Sequence, residues 1–212
     1  MRRLPVYLLL DTSGSMFGEP IESVKNGVSV LISALRGDPY ALETAFLSII
    51  TFNSKAEQIL PLTEIDSVTA PCIEANGMTV LGEALSLLAD RISKEVVKGN
   101  RNQKGDWKPM VFIMTDGVPT DNYQKGIEDL KKVKTGIIVA CAAGAAAEHS
   151  VLKEITENVV SLDSTDSESI KAFFKWVSAS ISAGSQSLEK TESEATTLDE
   201  LPQPPDEVSI IV

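Results

Sequence analysis

Asp11, Ser13 and Ser15 alternate along the segment Asp11-Thr12-Ser13-Gly14-Ser15, so one carboxylate and two hydroxyls can turn toward a single point. Gly14 gives this loop the backbone freedom that a tight turn needs. Two distant segments offer oxygens of the same kind. Asn76-Gly77-Met78-Thr79 brings the hydroxyl of Thr79, and Thr115-Asp116-Gly117 brings a second carboxylate. All of these are hard oxygen donors, which suit Mg²⁺, Mn²⁺ or Ca²⁺ and not zinc or copper. Mg²⁺ fits best, because the site offers few protein ligands and leaves room for water.

Other chemistries are thin on the ground. His149 is the only histidine, and Cys72 and Cys141 are the only cysteines, too few for a His-based metal site, and a Ser-His triad is not expected. Cys141 lies in an apolar run and reads as a buried free thiol. A phosphatase of the haloacid dehalogenase type also places an aspartate after its first strand. It needs a second aspartate two positions on, where this chain has Ser13. There is no lysine-bearing phosphate loop and no positioned general base, so the reading is a binding protein and not an enzyme. Taken alone, Asp11 would be a helix cap and Asp116-Gly117 a turn; their coincidence with Thr79 is what argues for a metal. Asp121 is expected to cap the helix that follows it. Trp107 and Trp176 are expected to be packing residues. Met16 and Phe17 follow the metal loop; core packing is the default for them, and contact with a partner beside the ion is the alternative.

The elements that must position these oxygens can be read from apolar runs. Residues 4–10, 45–52, 110–114 and 136–141 are continuously apolar or nearly so, as strands buried on both faces are. Residues 57–60 and 159–162 are weaker strand candidates. Between them, apolar positions recur at helical spacing: Ile21 to Leu35, Leu81 to Ile92, Ile127 to Val133, Val151 to Ile155 and Ile170 to Ile181. The alternation predicts a doubly wound α/β fold of Rossmann-like form, with about six strands in a mostly parallel sheet and helices on both faces. Only Asn53-Ser54 separates two of the strands, so these should form a hairpin and make one edge strand antiparallel. Ligands of such sheets bind beyond the carboxyl ends of the strands. If the first strand and the 110–114 strand are neighbours, Asp11 and Asp116 converge there.

The three oxygen-bearing segments resemble the metal-ion-dependent adhesion site of von Willebrand factor A (vWA) domains, over residues from about 4 to 182. The resemblance implies that Ser13, Ser15 and Thr79 hold the ion directly and that Asp11 and Asp116 do so directly or through water. It implies a binding module whose protein partner supplies an Asp or Glu carboxylate. Residues 3–7 (Arg-Leu-Pro-Val-Tyr) and 18–21 (Gly-Glu-Pro-Ile) look like the small bacterial tellurium-resistance vWA proteins of the TerY type. That likeness implies an adaptor or regulatory role in a tellurite, stress-response or phosphorylation-linked complex, with a kinase or phosphatase as partner.

The 212 residues carry a formal net charge of −11, which argues against nucleic acid and against anionic membranes as partners. The N-terminal apolar run is too short for a signal peptide, and the expected location is the cytoplasm. Residues 1–183 read as the vWA domain. Residues 184–212 hold seven carboxylates against Lys190 alone and include Pro202, Pro204 and Pro205, so they read as a flexible acidic tail. A free tail of that length spans roughly 30 Å and could bring its own carboxylate to the metal, making a self-regulated scaffold. Alternatively, the apolar residues 208–212 could add a strand to a sheet edge.

Overall fold

The computed structural model describes residues 2–102, 104–144, 147–191, 194–195 and 197–211. Strand β1 (Leu4–Asp11) is an inner strand of a seven-stranded sheet. It is followed by helices α1 (Glu19–Gly37) and α2 (Pro39–Thr44), then the hairpin β2 (Ala45–Phe52) and β3 (Ala56–Glu64). Helix α3 (Leu81–Glu95), β4 (Met110–Thr115), α4 (Tyr123–Leu130), β5 (Ile138–Ala143), α5 (His149–Ile155) and β6 (Val159–Leu162) continue the alternation. Helix α6 (Ser167–Thr191) and β7 (Val208–Ile211) close it. The strand order is β3-β2-β1-β4-β5-β6-β7. Strands β2, β1, β4, β5 and β6 run parallel, and β3 and β7 pair antiparallel at the two edges.

The pleat explains why the inner strands are apolar without interruption. Leu4, Val6, Leu8 and Leu10 of β1 join the core under α1 and α6, while Tyr7 and Leu9 join the core under α3, α4 and α5. Met110, Phe112 and Met114 of β4 divide from Val111 and Ile113 in the same way. Both faces are covered, so alternation with polar residues is absent. Gly18 precedes helix α1 with φ at +91°, a conformation L side chains rarely adopt, and Pro20 occupies the helix's first turn. The short α2 escaped the sequence reading because six residues carry too little periodicity; Asp38 caps it by accepting from the amides of Tyr40 and Ala41.

The sheet differs from expectation in having seven strands and two antiparallel edges, and the reason lies in residues 184–212. Helix α6 runs through the expected boundary to Thr191, with Leu188 in the core. Beyond it Leu201 and Val208 are buried, the Trp176 indole donates to the carbonyl of Pro202 (2.7 Å), and β7 pairs with β6 from Leu162↔Val208 to Val159↔Ile211. Pro202, Pro204 and Pro205 lie beyond the end of the helix, in a non-helical stretch that a few well-spaced apolar side chains fasten to the core. The described residues of the expected flexible tail are therefore part of the fold. Strand addition by residues 208–211, the alternative reading, is what is found, and it occurs within the chain. Among the described residues no helix is long and apolar enough to cross a membrane.

Helices α3 and α4 cross at glycines. A Cβ on Gly126 would come 2.4 Å from the Gly82 carbonyl oxygen, and one on Gly82 would come 2.6 Å from the Asn122 carbonyl oxygen. Backbone atoms on both sides cannot yield as a flexible side chain can. Gly126→Ala should therefore destabilise the fold by about 1–3 kcal/mol, read as a lower midpoint in urea unfolding with unchanged slope.

Candidate metal centre

The parallel register Leu10↔Met114 sets Asp11 level with Thr115, so Asp11 and Asp116 leave neighbouring strands on the same sheet edge. The chain then turns sharply: the carbonyl of Ser13 accepts from the Met16 amide (3.1 Å) and that of Gly14 from the Phe17 amide (3.2 Å). The 76–79 loop docks on this turn through backbone bonds, Asn76 N–H to the Thr12 carbonyl (2.9 Å) and Gly14 N–H to the Gly77 carbonyl (3.0 Å). Gly14 serves close approach: a Cβ there would lie 3.3 Å from the Gly77 carbonyl oxygen. The positive φ belongs to Gly77, at +74°, and a Cβ there would meet Ser54 Oγ at 2.2 Å. The third loop is held to the second by the Thr120 amide, which donates to the Thr79 carbonyl (2.8 Å), and by the Thr79 amide, which donates to Thr120 Oγ1 (3.2 Å).

These loops bring all five sequence-predicted ligands together. Ser13 Oγ and Ser15 Oγ are 3.0 Å apart, and Ser15 Oγ donates to Asp116 Oδ1 at 2.7 Å. Asp11 is held at both oxygens, accepting from the Ser13 amide (2.8 Å) and from the Thr115 hydroxyl (2.5 Å). A Cβ on Gly117 would lie 3.4 Å from Thr79 Oγ1 and 4.0 Å from Ser15 Oγ, which puts the Thr79 hydroxyl beside the Asp116 loop. Asp11, Ser13, Thr79 and Asp116 are buried, and Ser15 is exposed at the mouth.

The electrostatics are unbalanced. Among the described residues, neither Asp11 nor Asp116 forms an ion pair with a lysine, arginine or histidine. Burial pushes the Asp11 carboxyl above its ordinary range, against the hydrogen bonds from Ser13 and Thr115, and the charge of Asp116 pushes it the same way. Burial raises Asp116 too, opposed by the bond from Ser15. Buried carboxylates without a cationic partner are costly, and a cation removes that cost. A divalent ion fits this donor set on chemistry, two carboxylates and three hydroxyls. No cluster of three or more His, Cys, Asp or Glu exists among the described residues, so the hydroxyls are indispensable to any such site.

Three neighbouring residues are placed differently from expectation or were not foreseen. Met16 is fully buried in the core under the metal loop, so of the pair Met16 and Phe17 only Phe17 faces solvent. The turn that exposes Ser15 rotates the next side chain inward. Asp121 caps α3, which precedes it, and not α4: its two oxygens accept from the amides of Gly82 (3.0 Å) and Glu83 (2.8 Å). Thr115 orients Asp11 and was not singled out, although its place between an apolar strand and Asp116 was visible. Trp107 and Trp176 are packing residues, as expected. Because Asp121 satisfies two orphan amides at the start of the helix that follows Thr79, Asp121→Ala should lower stability by about 0.5–2 kcal/mol, measured by urea unfolding.

Comparison with known proteins agrees with this architecture. The von Willebrand factor type A domain profile matches residues 6–176. The chain is 35% identical over 123 residues to an uncharacterized protein, sll0103, of Synechocystis sp., covering 55% of this chain and 26% of that one. It is 25% identical over 165 residues to human inter-alpha-trypsin inhibitor heavy chain H6, covering 71% of this chain and 12% of that one. The chain thus spans a minor part of these longer relatives. Among solved structures, the von Willebrand factor type A protein from Catenulispora acidiphila superposes with a TM-score of 0.63 at 17% identity, covering 86% of this chain and 43% of that one. The pilus adhesin SpaC from Lactobacillus rhamnosus GG, in its open conformation, gives 0.67 at 14% identity, covering 86% and 30%. A sheet of mostly parallel strands wrapped by helices, with a profile match across more than half its length, places the chain in the von Willebrand factor type A family.

Proposed function

We propose that this chain is a Mg²⁺-dependent protein-binding module. Asp11, Ser13, Ser15, Thr79 and Asp116 hold the ion in the manner of the family's metal-ion-dependent adhesion site, and a partner's Asp or Glu is the ligand. The observation that carries the reading is the meeting of two buried carboxylates with three hydroxyls and, among the described residues, no basic side chain paired with either carboxylate. A bound Mg²⁺ supplies a Lewis-acidic centre for an incoming carboxylate; Mn²⁺ and Ca²⁺ suit the same oxygens. The rest is done by the chain. Thr115 and the Ser13 amide fix both oxygens of Asp11, Ser15 links Ser13 to Asp116, and the backbone bonds among the loops hold these groups before any partner arrives. Where the neutral hydroxyls of Ser13, Ser15 and Thr79 hold a divalent ion directly and a carboxylate acts through water, the ion would keep positive charge for an incoming carboxylate. SpaC is a pilus adhesin, which accords with binding as the role of this fold.

The reading includes a place for the module as adaptor or regulator in a bacterial tellurite or stress-response complex, with a kinase or phosphatase as partner. This rests on the likeness of residues 3–7 and 18–21 to TerY-type proteins. Both oxygens of Asp11 are engaged, by the Thr115 hydroxyl and the Ser13 amide, which supports a holding role for it over that of a nucleophile. The self-regulated alternative, in which the acidic tail fills the site, finds little support. Glu194 is held by the amide and ammonium of Lys108, before the start of β4 and so at the opposite sheet edge. Asp206 and Glu207 precede β7, three strands from β4, roughly 14 Å at ordinary strand spacing.

Mg²⁺ at a hundredfold excess over its dissociation constant should raise the unfolding midpoint by about 5–10 °C, and EDTA should abolish the rise. Asp11→Asn should remove the response and, with it, EDTA-sensitive capture of a partner from the native lysate. Capture that persists in EDTA would overturn the proposal. Thr115→Val, which leaves all five ligands but unties Asp11, should weaken Mg²⁺ about 10–100-fold by calorimetry while the fold remains intact.

A further inference from the structure

Among the described residues, the three most exposed large apolar side chains are Phe17 (77%), Met78 (54%) and Val118 (52%). They come from three separate segments of sequence, and each segment is one of the three that form the candidate metal centre. Phe17 lies two residues after Ser15, Met78 directly before Thr79, and Val118 two residues after Asp116. Single exposed apolar residues are ordinary; three gathered around one site mark a contact surface.

Their backbones are held in place. The Phe17 amide donates to the Gly14 carbonyl (3.2 Å) and the Met78 amide to Ser54 Oγ (3.2 Å). The Val118 loop is fastened to the Met78 loop by the Thr120–Thr79 backbone bond (2.8 Å), and the Met78 loop to the Phe17 turn by the Gly14–Gly77 bond (3.0 Å). The apolar collar is thus built on the same framework that gathers the oxygens.

We infer that this collar selects the residues flanking the partner's carboxylate: the segment bound is one acidic residue set between apolar side chains, not an acidic run. Charge points the same way. The chain carries −11, so a polyacidic segment meets repulsion everywhere except at the metal, whereas one carboxylate in an otherwise uncharged apolar segment meets one cation and three apolar contacts. The inference rests on the proposed metal-dependent binding and adds its specificity.

The test is an NMR titration of the ¹⁵N-labelled chain in Mg²⁺ with two capped peptides, Gly-Ser-Leu-Glu-Leu-Ser-Gly and Gly-Ser-Ser-Glu-Ser-Ser-Gly, each repeated in EDTA. The leucine-flanked peptide should bind at least about tenfold tighter, with shifts on Phe17, Met78 and Val118. The double variant Phe17→Ser, Val118→Ser changes only exposed side chains. It should erase that preference while leaving the Mg²⁺ affinity, measured by calorimetry, unchanged. Equal Mg²⁺-dependent binding of both peptides overturns the collar and leaves the metal-dependent reading standing. Binding of neither peptide that depends on Mg²⁺ overturns that reading and the collar with it. Sedimentation of the chain alone should show a monomer; a Mg²⁺-dependent dimer lost in the double variant would assign the collar to a second copy and overturn the proposed partner.

Discussion

Two carboxylates buried side by side without a basic partner are the constraint around which the upper edge of this molecule is arranged. Asp11 and Asp116 leave adjacent parallel strands at the same level, and each is below the surface. Among the described residues each accepts from hydroxyl or amide donors: the Ser13 amide and Thr115 for Asp11, Ser15 for Asp116. Neutral donors soften the burial of an anion but do not cancel its charge, and the upward displacement of both carboxyls expresses the remainder. A fold that keeps such a pair invites a cation. The proposed Mg²⁺ is the simplest species that matches both the deficit of positive charge and the hardness of the oxygens.

The rest of the fold can be understood as support for that pair. Strands β1 and β4 are adjacent only because the β2–β3 hairpin lies on one side of β1 and the remaining βα units on the other. The order therefore reverses at β1, and the reversal opens a crevice at the carboxyl ends of the two strands. The 76–79 loop reaches the same crevice because α3 starts directly after it, and α3 is fixed by its glycine crossing with α4 and by Asp121. Thr79 thus depends on contacts made by residues as far along the chain as Gly126.

The parts of this arrangement that were legible in the sequence are those set by local pattern. The buried strands announced themselves as unbroken apolar runs, and the oxygens as short alternating motifs at the strand ends. Asp121 was misplaced because a carboxylate in a loop between two helices can reach either, and the choice is made by the α3–α4 contact, which is tertiary. Met16 was ambiguous because a turn sends adjacent side chains in opposite directions, and only the register of the turn decides which goes inward. The C-terminal segment misled because its charge is dense while its fastening points, Leu188, Leu201 and Val208, are few and widely spaced. Composition weighs residues by number, whereas packing weighs them by where they land.

The same distinction bears on how the site works. The bonds that dock the three loops on one another at Gly14, Asn76 and Thr120 run between backbones, side-chain bonds from Ser15 and Thr115 close the site within them, and Gly14 lets the first loop lie close against the Gly77 carbonyl. Such a framework leaves the outward side chains free to vary without disturbing the inward ones. Phe17 and Met16 are consecutive, yet one is solvent-facing and the other is core; Met78 and Thr79 divide in the same way. The chemistry common to the five oxygens and the apolar character of the rim are therefore separable properties of the same three loops. An identical oxygen set can serve different partners on different chains, with the neighbouring exposed residue in each loop setting which segment the collar accepts.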